Sequence, residues 1–172
     1  MTAPLAALFT APPVAPPAPA TLDHAGIAAR IPHQGRMCLL QALQAWSPEH
    51  VLCTAISHGA PTNPLRAGGV LWSACAIEYA SQAMALHGVL SAGFGAGAGA
   101  APRAGFLASV RGVQLLVPRL DTVPGPLQVA AYRLAGDARQ ASYRFELHSA
   151  AGALLVAGRA SVILDALPRP VA

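Results

Sequence analysis

The stretch Leu71-Trp-Ser-Ala-Cys-Ala-Ile-Glu-Tyr-Ala-Ser-Gln-Ala-Met-Ala-Leu-His87 constrains this chain more than any other. It has helical spacing and is apolar nearly all round, so it cannot lie on a surface with one face in water. The rest of the chain has to cover it. Its one acidic residue, Glu78, is out of place by composition. An unpaired carboxylate among apolar groups costs several kcal/mol, and burial of this kind shifts a carboxyl towards its neutral form. A carboxyl poised near neutrality suits general acid–base chemistry.

The cover comes from the residues C-terminal to this helix, where the helical period does not return. Residues 105–117, 127–134, 141–148 and 154–164 read as four strands, with the clearest alternation at Tyr143, Phe145 and Leu147 against Ser142, Arg144 and Glu146. Pro124-Gly125-Pro126, Gly136-Asp137 and Ala151-Gly152 supply the turns. Before the helix, residues 37–46 and 51–57 form a hairpin joined at Ser47-Pro48-Glu49-His50. The helix is expected from residue 72 or 73, N-capped by Ser73, to His87, with Gly88 as its stop. Residues 91–104 are expected to be a mobile Gly/Ala-rich loop. The economical architecture is α+β, an antiparallel sheet wrapped around one long central helix, which is the hot-dog arrangement. Such domains commonly pair two sheets edge to edge.

Residues 1–22 are read as a Pro/Ala-rich disordered tail, 23–165 as the single domain and 166–172 as a short C-terminal tail. The first twenty residues carry no Lys or Arg, and prolines at 12, 13, 16 and 17 interrupt any helix, which argues against a secretory signal. No apolar run approaches the roughly 18 residues of a transmembrane helix. Cys38, Cys53 and Cys75 lie in apolar runs and read as buried free thiols of a reducing, cytoplasmic setting. Their spacing does not suit a metal, and none is expected.

Hydrophobic residues make up 54% of the chain and charged residues 10%, a balance that implies an apolar face covered by another subunit. All eleven basic residues are Arg, for a net charge of +4. They are scattered along the sequence without interleaved aromatic residues, which argues against nucleic acid.

Ile31-Pro-His-Gln-Gly-Arg-Met-Cys-Leu-Leu40 resembles the Pro-His-Arg-x-x-(Met/Phe)-Leu-Leu-(Val/Leu)-Asp signature of hot-dog beta-hydroxyacyl-carrier-protein dehydratases. Ile77-Glu-Tyr-Ala-Ser-Gln82 is similar to their Glu-x-x-(Ala)-Gln helix motif, in the form typical of the aryl-polyene branch. Gly105-Phe-Leu-Ala108 and the turn Val123-Pro-Gly125 resemble their next strand and turn. The resemblance covers roughly residues 30–164.

It implies a beta-hydroxyacyl thioester as substrate, held on the phosphopantetheine arm of an acyl carrier protein, with no cofactor. Glu78 is then the general acid or base at the substrate hydroxyl, and Gln82, one turn on, orients it or binds substrate and water. The loop His of the fatty-acid enzymes, fourteen residues before the Glu, is replaced by Pro64. The Pro-Gly pair that opens their helix is replaced within Val70-Leu-Trp-Ser73, and the signature Arg and Asp by Gln34 and Gln41. His33, in the matched Pro-His segment, is favoured over His58 as the second catalytic group. His24, His50, His87 and His148 are read as solvated, and Cys75 as core packing. Arg103, Arg111 and Arg119 flank the expected tunnel mouth and suit an acidic carrier protein. The chain is expected to pair as a homodimer or as a heterodimer with a sister hot-dog subunit. The alternatives to the dehydratase are a catalytically weak or inactive hot-dog partner subunit of a complete dehydratase and a hot-dog acyl thioesterase.

Overall fold

The computed structural model describes residues 21–95, 105–137 and 139–164. The tail expected at the N-terminus lies outside these except for its last two residues, and so do the C-terminal tail, residues 96–104 of the Gly/Ala-rich loop and Arg103. Leu22 already pairs with Leu43 through two backbone hydrogen bonds. A short helix α1 (His24–Ala28), which the sequence pattern did not suggest, comes at once after it. The Asp23 carboxylate accepts from the Gly26 amide and caps it, while Ile27 buries its side chain.

Strands β1 (Ala42–Ser47) and β2 (His50–Ala55) form the expected hairpin. β1 is shorter than its apolar run because Gly35–Met37 forms a 3-10 turn and pairing with β2 begins only at the Gln41 amide, which donates to the Thr54 carbonyl; β2 stops at Ala55, ahead of the 3-10 turn Ser57–Gly59. After an irregular segment, Ser73–Cys75 makes one 3-10 turn and α2 runs over Ala76–Gly95. The backbone on either side of this entry is stitched to residues 118–120, with the Ser73 amide donating to the Pro118 carbonyl and Leu120 to Leu71. Ser73 does not cap the helix. Trp72 holds the cap position and makes no side-chain cap bond.

The helix also passes through Gly88 rather than stopping there. Glycine inside a helix costs only about 1 kcal/mol relative to alanine, and Leu90 on the next turn is buried and anchors the continuation.

Strands β3 (Gly105–Leu115), β4 (Leu127–Gly136), β5 (Gln140–His148) and β6 (Leu154–Leu164) complete one antiparallel sheet. Its order is β1-β2-β4-β5-β6-β3. The inner face presents Val51, Cys53, Val129, Ala131, Tyr143, Phe145, Leu147 and Val156 to Ala76, Tyr79, Ala80, Ala83 and Leu86 of α2, all buried. Strand β5 alternates exposed or half-buried with buried residues along its whole length, as its sequence predicted.

Among the described residues β3 is different. It is an edge strand, most of its side chains are exposed, and they include Phe106, Leu107 and Leu115. No helix of the described residues is long and apolar enough to cross a membrane.

Candidate active site

Two segments far apart in sequence meet at Glu78. The carboxylate is carried on the first turn of α2. His33 lies in the connection between α1 and the 3-10 turn, and its Nε2 is 3.1 Å from Glu78 Oε1 within one protomer. Gln82, one helical turn beyond Glu78, holds the pair in place. Its Nε2 donates to Glu78 Oε1 at 2.9 Å and to the Met37 carbonyl at 2.7 Å, and its Oε1 accepts from the Leu39 amide at 2.8 Å. With the Gln82 side chain fully buried, its amide serves three protein partners and ties the helix to the segment just after His33.

Glu78 is less enclosed than its sequence surroundings suggest. About a third of its side chain is exposed, as is a quarter of that of His33. The expectation of a carboxyl raised towards neutrality is overturned. Burial does push its pKa up, but the hydrogen bonds from His33 and Gln82 and the nearby imidazole charge outweigh it. The net shift is below the ordinary carboxylate value. Helical spacing shows apolar neighbours along one element and cannot show a polar loop folding over them. The other ring nitrogen of His33, Nδ1, is buried without a partner among the described residues, so none of them fixes the tautomer from that side.

The other singled-out residues fall elsewhere. His58 is buried and hydrogen-bonds the Val123 carbonyl through Nε2, with burial lowering its pKa. It takes no part in the contacts around Glu78. Cys38 and Cys53 are buried and Cys75 half-buried, all free. The Cys75 thiol faces the Leu65 carbonyl, and burial raises its pKa, which disfavours a nucleophilic thiolate. Arg119 is committed to Asp121, which also binds Arg66 and the Leu71 amide. Among the described residues no cluster of three or more His, Cys, Asp or Glu is arranged to hold a metal.

His87 is a correction. It is not solvated but fully buried, with Nδ1 on the Tyr143 hydroxyl and Nε2 on the Ser47 carbonyl, each at 2.9 Å. The helix does not end beside it, so its position is interior. The sequence also missed a second buried polar cluster, in which the Tyr79 hydroxyl meets Ser57 Oγ and Asn63 Nδ2. Tyr79 lies next to the conspicuous Glu78, and nothing in its spacing marks it as more than core.

The model of the ApeP-like family, described as ApeP dehydratase, matches residues 25–167. The chain belongs to the ApeP-like dehydratase family. Among solved structures this ApeP-like chain is similar to the dehydratase heterocomplex ApeI:P from Xenorhabdus doucetiae, at 25% identity and a TM-score of 0.68, over 80% of this chain and 90% of that one. AziG of S. sahachiroi (17% identity, TM-score 0.53, 73% and 90% covered) and the thioesterase HI1161 of Haemophilus influenzae (13%, 0.51, 71% and 76%) share the fold. No curated protein sequence matches the chain. The hot-dog reading and the dehydratase-like function drawn from the motifs stand, and thioesterases are present among the structural neighbours.

Proposed function

We propose that this chain eliminates water from a beta-hydroxyacyl thioester carried on the phosphopantetheine arm of an acyl carrier protein, with Glu78 and His33 as the acid–base pair. The observation that carries the reading is the 3.1 Å contact between His33 Nε2 and Glu78 Oε1 in a partly exposed position. In the elimination the Cα–H bond breaks, its electron pair forms the double bond, and the Cβ–O bond breaks with a proton delivered to the leaving hydroxyl. One base and one acid suffice, no electron acceptor is needed, and the pair ends with as many protons as it began with. Glu78 rests as a carboxylate because its pKa lies below the ordinary range. Glu78 is the group placed to take the Cα proton, and His33, whose Nε2 faces it, the group placed to give one to the leaving hydroxyl. Gln82 acts as a positioning residue by fixing the carboxylate.

The heterocomplex neighbour and the exposed edge of β3 favour a paired state, as homodimer or with a sister hot-dog subunit. Trp72, Leu115 and Leu116 are each about half exposed and line, with Ser73, Ala74, Val117 and Pro118, an apolar groove beside that edge. A second subunit adding its edge strand to β3 would cover them. Three free cysteines fit a cytoplasmic setting.

The test is turnover of a hydroxyacyl carrier protein by the purified chain, read as enoyl product. Loss of turnover in Glu78→Gln and His33→Ala supports the reading, and unchanged turnover in either overturns it. Activity that appears only beside a sister subunit identifies a partner subunit instead. Release of free thiol identifies a thioesterase.

A further inference from the structure

The outer face of the sheet, opposite α2, carries an arrangement that the sequence scatters over fifty residues. Arg144 on β5 is directly opposite Arg159 on β6, and Arg159 is directly opposite Arg111 on β3. All three are exposed. Two positions along, Ser142, Ser161 and Ser109 form a parallel row in the same register. Like charges facing each other across neighbouring strands destabilise a sheet. Arg144 is partly compensated, since it pairs with Glu146 and lies 4.3 Å from the centre of the Tyr132 ring. Among the described residues neither Arg159 nor Arg111 has an ion-pair partner.

We propose that this arginine–serine patch docks an acidic helix of a partner protein. Neighbouring strands are about 4.8 Å apart, and glutamate or aspartate side chains at i and i+4 on a helix start about 5–6 Å apart. A helix crossing the strands therefore presents successive carboxylates to Arg159 and Arg111, with the Ser161 and Ser109 hydroxyls beside them as further donors; the Ser142 hydroxyl is turned to the Ala135 carbonyl. The patch is a broad strand face three strands wide, which suits a protein surface better than a small anion.

The described residues of this chain do not supply the complement. The chain has seven acidic residues, and its first twenty residues contain none. Of the six that are described, Asp121 is held by two arginines, Glu146 by Arg144, Glu78 by His33, Glu49 by the Ser47 hydroxyl, and Asp23 and Asp137 by backbone amides. A second copy would bring the same positive face. Edge pairing at β3 uses backbone groups in the plane of the sheet and leaves the patch open. Nucleic acid is disfavoured because the nearby aromatic, Tyr132, is already covered by Arg144.

The test titrates the full chain with a synthetic helical peptide bearing glutamate at every fourth position on one face, read by fluorescence anisotropy at about 0.1 M salt, where the Debye length is about 10 Å. The double variant Arg111→Gln/Arg159→Gln is expected to bind about ten-fold more weakly, the scale of two exposed charge pairs in a continuous surface. The charge-matched control Arg30→Gln/Arg139→Gln should bind within about two-fold of the parent, since charges removed at a distance are screened. The first variant should also melt no lower than the parent, because it removes repulsion. Equal loss in both variants, unchanged binding in the first, equal binding of a glutamine peptide, tighter binding of a DNA duplex, or a lowered melting temperature each overturns the proposal.

Discussion

Helix α2 carries two polar clusters built around histidine, and they differ in how far each is closed. Just past its midpoint His87 is fully buried, both ring nitrogens have partners, and the Tyr143 ring stands edge-on to it. Near its start Glu78 and His33 face each other while partly exposed, and one ring nitrogen of His33 has no partner among the described residues. A closed network with every donor and acceptor matched can only hold elements together. An open pair with spare capacity can hand a proton to something else. Burial and satisfaction, rather than residue type, tell the two apart.

The comparison breaks if changes at the two clusters have the same consequence. The largest effect is expected from Glu78→Gln, which should lower turnover by about 10²–10⁴-fold, the usual contribution of a general acid or base, while the melting temperature stays close to that of the parent. At the closed cluster, His87→Ala should cost about 2–4 kcal/mol in denaturant unfolding, because it leaves a cavity and strips partners from the Tyr143 hydroxyl and the Ser47 carbonyl. Turnover of the folded fraction should then be nearly unchanged. Gln82→Ala lies between the two, with a loss of about 1–3 kcal/mol from the unpaired Leu39 amide and Met37 carbonyl and a fall in the rate constant larger than any change in KM.

The smallest effect concerns pH. Burial holds the His87 pKa below its ordinary value of 6.5. As pH falls through about 6.5 the unfolded chain takes up a proton before the folded one does, so stability is present above that pH and declines towards the folded pKa. His58 is shifted the same way by burial and contributes to the same decline. Replacing His87 by Gln should flatten part of the slope of unfolding free energy between pH 6.5 and 5, as measured by urea titration. An unchanged slope would show that His87 is not buried as a neutral ring.

Much of the fold was legible because each element has its own period. The alternation of Tyr143, Phe145 and Leu147 reports a half-covered strand, and the all-round apolar run from Leu71 reports a covered helix. The helix ends were less legible. Gly88 carries the local signal of a stop, and only the burial of Leu90 overrides it. Glu78 was conspicuous by contrast with its neighbours, and the Pro-His motif pointed to His33, which the structure brings beside it. The direction of the Glu78 pKa shift was not legible, because it depends on Gln82 and His33 arriving from two directions. The interior position of His87 and the alignment of Arg111, Arg159 and Arg144 were equally hidden, since sheet register appears only once strands pair.

Because His33 and Glu78 meet within one polypeptide, a neighbouring subunit need not contribute a proton-transfer group to complete the pair. On the proposed assignment of the pair, what such a neighbour has to supply is shape along β3. A duplicated copy could then lose its own acid and base and still be retained as a cover. One chain of an assembly can in this way drift into a scaffold while the other keeps the chemistry.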